Sequence, residues 1–459
     1  MLKELLTPEL EDLVNQRAYD RLHDAIQGWE APEIAELLLS LPEEDQTVFF
    51  GLLNHHQAAD VFPYFSLDLQ KQLLEEISVE QVRLLLDDLD ADDRTRLFED
   101  LPEKTTEHLM DLLQPDDLKE AQHLLSFPDE SVGRLMTPDY LAVRPEWRVK
   151  KALDHIRIHG RDVETVNVVY VVDENHKLID DLRLRSLIFA DPELQVKDIT
   201  DNRFVALSAF DDQEVAARTI QNYDRVALPV IDQEGILLGI VTVDDILDVV
   251  VEEGTEDMHK IGAVEVMDTP YLDTPFFTLM KKRAFWLILL FFGEMLTASA
   301  MGFFEDAIAS AVVLAVFVPL IVSSGGNTGS QAAMLVIRAM AVGELTMRDW
   351  WKVIRREVLS GLALGTILGT FGFLRIAAWE WLFQFYGEYW MLIGLTIGLA
   401  LVGVVLWGTI AGSMLPFILR RIGSDPATSS APFVATLVDV TGIILYFSIA
   451  ILILKGTLL

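Results

Sequence analysis

Cysteine is absent from the 459 residues. That excludes disulfides and thiolate metal sites, and it leaves the compartment open. Basic residues are scarce over the first 270 positions, where 24 Lys and Arg face 60 Asp and Glu, a local charge of −36. The rest, with 12 basic and 11 acidic residues, is close to neutral, so the net charge of −35 belongs to one half. An acidic surface of this kind repels nucleic acid and anionic headgroups and concentrates cations, which argues against DNA or RNA partners. A phosphate loop, a nucleophile constellation and a metalloprotease helix are also missing, so the chain does not read as an enzyme. The opening MLKELLTPEL lacks the cationic region and apolar stretch of a signal peptide, and the N-terminus is expected to stay in the cytoplasm.

What is present in the neutral half is a set of long apolar runs. Five approach the roughly 20 residues that a bilayer needs: Ala284 to Phe304, Ala307 to Ile337, Val358 to Trp381, Trp390 to Leu419 and Pro432 to Leu454. The basic residues Lys281, Lys282 and Arg283, then Arg338, Arg348, Lys352, Arg355 and Arg356, then Arg420 and Arg421 fall on one side, which assigns that side to the cytoplasm and the C-terminus to the outside. Trp379, Trp381, Tyr386, Tyr389 and Trp390 read as an interfacial belt on the other side.

Asp439 sits near the start of the last apolar run. A carboxylate in hydrocarbon is costly and is tolerated where it faces a bundle interior or a water-filled path, so a cation pathway is the leading reading against a helix-end hydrogen bond. Pro319 and Gly325-Gly326 predict an interrupted second span, whose freed carbonyls, with Asn327 and Gln331, offer oxygen ligands; close helix crossing through small residues is the alternative. Glu294, midway in the first span, either joins the path, pairs with a polar neighbour or stays protonated after desolvation. Oxygen donors suit a hard cation such as Mg²⁺ better than a soft metal, and two copies on a dimer axis would make a ring of acids.

The acidic half has two textures. Residues 1–130 repeat short helical patterns such as LLEEISVEQVRLLLDDL, with Pro42 and Pro102 at first-turn positions, which predicts an all-helical superhelical bundle. From about Leu135 to Val250, short β runs alternate with helices, and Tyr170-Val-Val-Asp173 recurs as Pro229-Val-Ile-Asp232 after 59 positions, predicting two pseudo-symmetric α/β units. Thr242 and Asp245 are spaced like a ribose-contacting pair. The stretch from Asp244 to Met267, if helical, places Asp245, Asp248 and Glu252 near one face, with Glu253, Glu256 and Asp257 close by. Such like charges are tolerable in solvent, or useful where a divalent cation bridges them to another acidic surface.

In this order, SVGRLMTPDYLAVRPEW, the tandem repeat, the acidic connector, GGNTGSQ and PFVATLVDVTG resemble the MgtE family of magnesium channels and transporters over essentially the whole sequence. The resemblance implies a multidomain membrane protein: an all-α superhelical N domain (1–130), tandem α/β cystathionine-β-synthase-type (CBS) domains (131–198 and 199–250), a connecting plug helix (251–275) and a five-span α-helical pore domain (276–459). It implies a homodimer in the cytoplasmic membrane that takes up Mg²⁺ and closes when Mg²⁺ is abundant inside. Asp439, the Ala435 carbonyl and Asn327 match the pore positions. Asp88, Asp92, Asp212, Glu214, Asp224, Asp245, Asp248, Glu253, Glu256 and Asp257 match sensor positions, although His55 and His56 stand where a further N-domain acid is sought. Thr242 and Asp245 would hold ATP or another adenine nucleotide, so Asp245 has two candidate roles. The competing readings are a transporter of Co²⁺ or Ni²⁺, and a nucleotide-sensing CBS module for which the spans are an anchor.

Overall fold

The computed structural model describes residues 28–458 apart from 162, 268, 270 and 273, together with Leu13, Gln16, Ala18, Arg21, Leu22, Ala25 and Ile26. The opening MLKELLTPEL lies outside the described residues. The chain divides into two compact units, Met1–Val250 and Val251–Leu459.

In the first unit, short helices follow one another: α1 (Ala31–Ser40), α2 (Glu43–Phe50), α3 (His55–Val61), α4 (Leu67–Glu76), α5 (Val79–Asp88), α6 (Ala91–Asp100), α7 (Glu103–Met110) and α8 (Pro115–Leu124). Leu spacing of three and four gives α5 an apolar face, and Phe49, Phe62, Leu73, Leu85 and Leu86 from along this run meet in a common core. Pro42 and Pro102 stand one position earlier than the sequence suggests, as the residues that precede α2 and α7, while Pro115 opens α8. Ser78 and Gln81 close a reciprocal capping box on α5.

After α9 (Val132–Leu135), the pattern becomes β1 (Ala142–Val143), α10 (Val149–His159), β2 (Val168–Val172), β3 (Leu178–Arg183), α11 (Leu184–Phe189), β4 (Leu207–Ser208), α12 (Gln213–Tyr223), β5 (Ala227–Ile231) and β6 (Leu237–Thr242). The strands form two three-stranded sheets, β1-β2-β3 and β4-β5-β6, each with a parallel first pair and an antiparallel second pair. The strands of the two sheets begin 59 positions apart, at Val168 and Ala227 and again at Leu178 and Leu237. The two copies also bond to each other reciprocally: Leu178 N donates to Gly235 O and Leu237 N to His176 O, both at 3.0 Å. An isologous contact of this kind is the mark of a pseudo-twofold pair, and Tyr170, Leu178, Leu237 and Ile240 pack along it.

Helix α13 (Val243–Ile261) follows β6 without a loop. Helical structure therefore covers only the first part of the expected 251–275 connector, and the described residues from 264 to 275 are outside helices.

The second unit holds five helices, among the described residues, long and apolar enough to span a membrane: α14 (Phe276–Phe303), α16 (Val313–Ala341), α17 (Trp350–Phe383), α18 (Trp390–Arg421) and α19 (Ala431–Leu454), with the short α15 (Glu305–Ser310) after the first. The expected interruption of the second span does not occur: α16 is continuous through Pro319 and Gly325-Gly326. Pro319 lies early in the helix and removes one backbone bond. The glycines serve close packing instead, in keeping with the small-residue alternative. Gly361, Gly365, Gly369 and Gly372 form a similar stripe where α17 meets α18. Arg375, which sequence reasoning left unplaced, lies over the rings of Phe317 and Trp379 at 5.2 and 5.1 Å and donates to the Tyr386 hydroxyl at 3.2 Å.

Candidate functional site

Ser430 caps α19 by accepting from Phe433 N at 3.3 Å, and Pro432 occupies the first turn, where its missing N–H costs no helical bond. This start sets Ala435 and Asp439 one turn apart on the side facing α16. A Cβ on Gly326 would stand 3.4 Å from both Asp439 Oδ1 and the Ala435 Cβ. The glycine thus gives the carboxylate room, while the amide nitrogen of the next residue, Asn327, donates to Ser323 Oγ at 3.3 Å. The Ala435 carbonyl accepts the Asp439 N–H within the helix and keeps a second lone pair.

Helix α14 contributes from another side. Thr436 Oγ1 donates to Glu294 Oε1 at 3.4 Å, and the Glu294 carboxyl neighbours that of Asp439. Glu294 thus has the polar neighbour that was one of its alternatives, and its carboxyl also lies near that of Asp439. The structure brings Ala435, Asp439 and Glu294 together from two helices with Gly326 of α16 against the first two, and oxygen is the available donor on each of the three; Asn327, the next residue of α16, is exposed and bonds within its own helix. Two carboxylates at this range are tolerable where a cation or a shared proton stands between them, and an all-oxygen set suits a hard divalent ion.

A second acidic convergence lies within the soluble unit. Thr242 Oγ1 donates to Asp245 Oδ2 at 2.7 Å and also to Asp244. The Asp245 carboxyl meets that of Asp92 in the first turn of α6, while Asp92 Oδ1 is buried without a hydrogen bond. That orphaned oxygen is the strongest sign that the residues fit a cation. Burial first, and then the Asp245 charge, pushes Asp92 well above the usual carboxylate range. Burial, with Asp90 and Asp245 as neighbours, raises Asp93 and Glu164 to about 7 each. Asp93 and Glu164 escaped sequence reasoning. The run Asp90-Ala-Asp92-Asp93 was the available signal for the first, whereas no local pattern marks Glu164, which enters from beyond α10.

The remaining sensor candidates are distributed. Asp212 caps α12 by accepting from Glu214 N at 2.9 Å, and Arg218 approaches Glu214 at 3.5 Å. Asp224 ends the same helix in a left-handed conformation, φ 49°, so α12 holds Asp224 apart from the other two. Asp248 lies 3.6 Å from Arg96, with both side chains largely exposed. Asp88 turns to His55, and to His56 at 3.3 Å.

Glu253, Glu256 and Asp257 share the later turns of α13. Lys260 pairs with Glu256 and, at 2.6 Å, with Asp425, in the segment between α18 and α19. Burial, with Asp425 as neighbour, raises the pKa of Asp257 against the opposing pull of Lys260. The end of α13 and the segment before α19 therefore form one charged contact inside the second unit.

Residues 318–449 match a family model described as a divalent cation transporter, residues 29–130 the MgtE intracellular N domain, and residues 132–193 and 196–252 the CBS domain. The chain is 37% identical over 458 residues to the magnesium transporter MgtE of Thermus thermophilus, an alignment that spans 99% of this chain and 100% of that one. The chain belongs to the MgtE family. Another MgtE magnesium transporter, from Bacillus subtilis, is 31% identical over 91% of this chain and 90% of its own. Among solved structures, the cytosolic domain of the Mg²⁺ channel MgtE in complex with ATP matches with a TM-score of 0.50 at 34% identity, over 52% of this chain and 98% of that one. The soluble part of a magnesium transporter matches with a TM-score of 0.51 at 29% identity, over 55% and 98%. MgtE membership and the five candidate spans make this a multi-pass membrane protein.

Proposed function

We propose that this protein conducts Mg²⁺ across the cytoplasmic membrane and is closed by Mg²⁺ on the cytosolic side. The observation that carries the reading is the placement of the Asp439 carboxylate, on a span of high hydropathy, against Gly326 and near the Glu294 carboxyl. Mg²⁺ surrenders its water reluctantly, so a few oxygens suffice to select and pass a hydrated ion. In a homodimer, two Asp439 side chains on the symmetry axis would supply such a ring. Partial exposure of Asp439 and exposure of Asn327 and Glu294 on a single copy are consistent with a pathway completed by a second.

The regulatory residues fit the same ion. Crowded carboxylates at Asp92 and Asp245, and at Asp257 and Asp425, repel one another without a cation and are held together by one, so cytosolic Mg²⁺ would favour the compact state. The domains assigned to this work are the N domain at 1–130, the CBS domains at 131–198 and 199–250, the connector at 251–275 and the pore at 276–459. The Mg²⁺ channel relative was solved with ATP. Here Thr242 and Asp245 would contact the ribose of an adenine nucleotide, displacing the bond they now make to each other. The cytoplasmic placement of the N-terminus rests on the basic clusters between spans.

The test is Mg²⁺ flux into liposomes while Mg²⁺ is stepped on the cytosolic face. Flux should fall by more than the lost driving force, and Asp439→Ala should abolish selective flux with the melting temperature unchanged. Wild-type flux in that variant removes the pore assignment.

A further inference from the structure

Asn54 caps α3 by accepting from Gln57 N at 2.9 Å, which fixes where the helix begins and sets His55 and His56 in its first turn. The last residue of α5, Asp88, faces them. His55 Nδ1 pairs with Asp88 Oδ2, His56 Nδ1 lies 3.3 Å from the same oxygen, and one ligand atom from each of the three residues falls within 4.8 Å of the others. The two rings are 4.2 Å apart. Neighbouring acids are sorted differently: Asp87 binds Arg83 at 3.0 Å and Gln114 at 3.1 Å, leaving the histidines to Asp88. Asp60, one turn beyond His56, adds a carboxylate whose charge is felt by both His56 and Asp88.

We propose that His55, His56 and Asp88 form a site for a divalent ion of the Zn²⁺, Co²⁺ and Ni²⁺ class, separate from any Mg²⁺ site. Imidazole nitrogen is a preferred ligand for these borderline metals, whereas Mg²⁺ takes oxygen. The 3.3 Å between His56 and Asp88 matches the edge of a tetrahedron whose bonds are about 2.0 Å. His55 needs only a small withdrawal from Asp88 to take a third corner. The histidine side chains are 47% and 74% exposed, so water reaches the fourth corner and the metal has an entry path. All three ligands are side chains, and the strongly negative charge of this half of the sequence raises the local concentration of cations. The site gives the helical N domain an input from a different metal, in the stretch that leads through Asp88 to Asp92.

The test uses the full-length protein in detergent, stripped with a chelator and held in excess Mg²⁺ so that oxygen sites are filled. Titration with Zn²⁺ should show one tight site per chain. Its affinity should drop at least about tenfold in His55→Asn/His56→Asn and stay unchanged in His155→Asn/His159→Asn, a helix-borne pair whose rings are 4.4 Å apart. X-ray absorption of the wild type loaded with one Zn²⁺ should show imidazole scattering at about 2.0 Å. Retention of Zn²⁺ by the first double variant, its loss from the second, or an oxygen-only spectrum overturns the site. Where the first variant fails to fold, loss of Zn²⁺ from the His155→Asn/His159→Asn variant or an oxygen-only spectrum still overturns the site.

Discussion

Burial has converted Asp93 and Glu164 into acids that keep their protons up to about pH 7. In an extended chain the same side chains ionise near pH 4. Between these limits the folded unit binds more protons than the unfolded chain, so its stability falls as pH rises from about 4.5 through 7. A divalent ion can take the place of those protons. Without divalent ions, the melting temperature of the first unit should therefore decline between pH 5 and pH 8, and Mg²⁺ should flatten the decline. Glu164→Gln should flatten it as well, because the amide carries no charge at any of these pH values. Circular dichroism melts across pH check both, and a slope indifferent to Mg²⁺ and to Glu164→Gln would separate these acids from the proposed cation site. Asp439 was legible from sequence because a carboxylate in an apolar run has few bland explanations. Glu164 was not, because its significance comes entirely from acids brought to it by folding.

At the scale of elements, hydropathy located all five spans, and the 59-residue recurrence located both sheets, since each depends on local pattern. The continuity of α16 was hidden for a physical reason: Gly and Pro in an apolar run serve a break or a close crossing equally well, and only the partner helix distinguishes them. Where α16 meets α18, the crossing is tight enough to test. A Cβ on Gly412 would lie 2.0 Å from the Gly329 carbonyl oxygen, whereas one on Gly302 in α14 would have nothing within 4 Å. Gly412→Ala should force the two helices apart and cost about 1–3 kcal/mol or more. Gly302→Ala should be neutral or slightly stabilising, since alanine suits a helix better. Thermal unfolding in detergent should rank the two in that order, and equal melting temperatures would mean that the crossing yields without strain.

For the whole molecule, charge is divided as sharply as structure: the acidic half holds the N-terminal and CBS domains, and the neutral half holds the five candidate spans. Helix α13 belongs to both, since the units join at Val250 and Val251 within it. Neutralising Glu253, Glu256 and Asp257 together should leave Mg²⁺ flux running at high internal Mg²⁺, measured in the same liposomes. Wild-type inhibition in the triple variant would show that the end of α13 is not where internal Mg²⁺ acts. Because β6 ends at Thr242 and α13 starts at Val243, strand and helix meet with no loop between them, so the direction in which β6 ends fixes the direction in which the 19 residues of α13 set out.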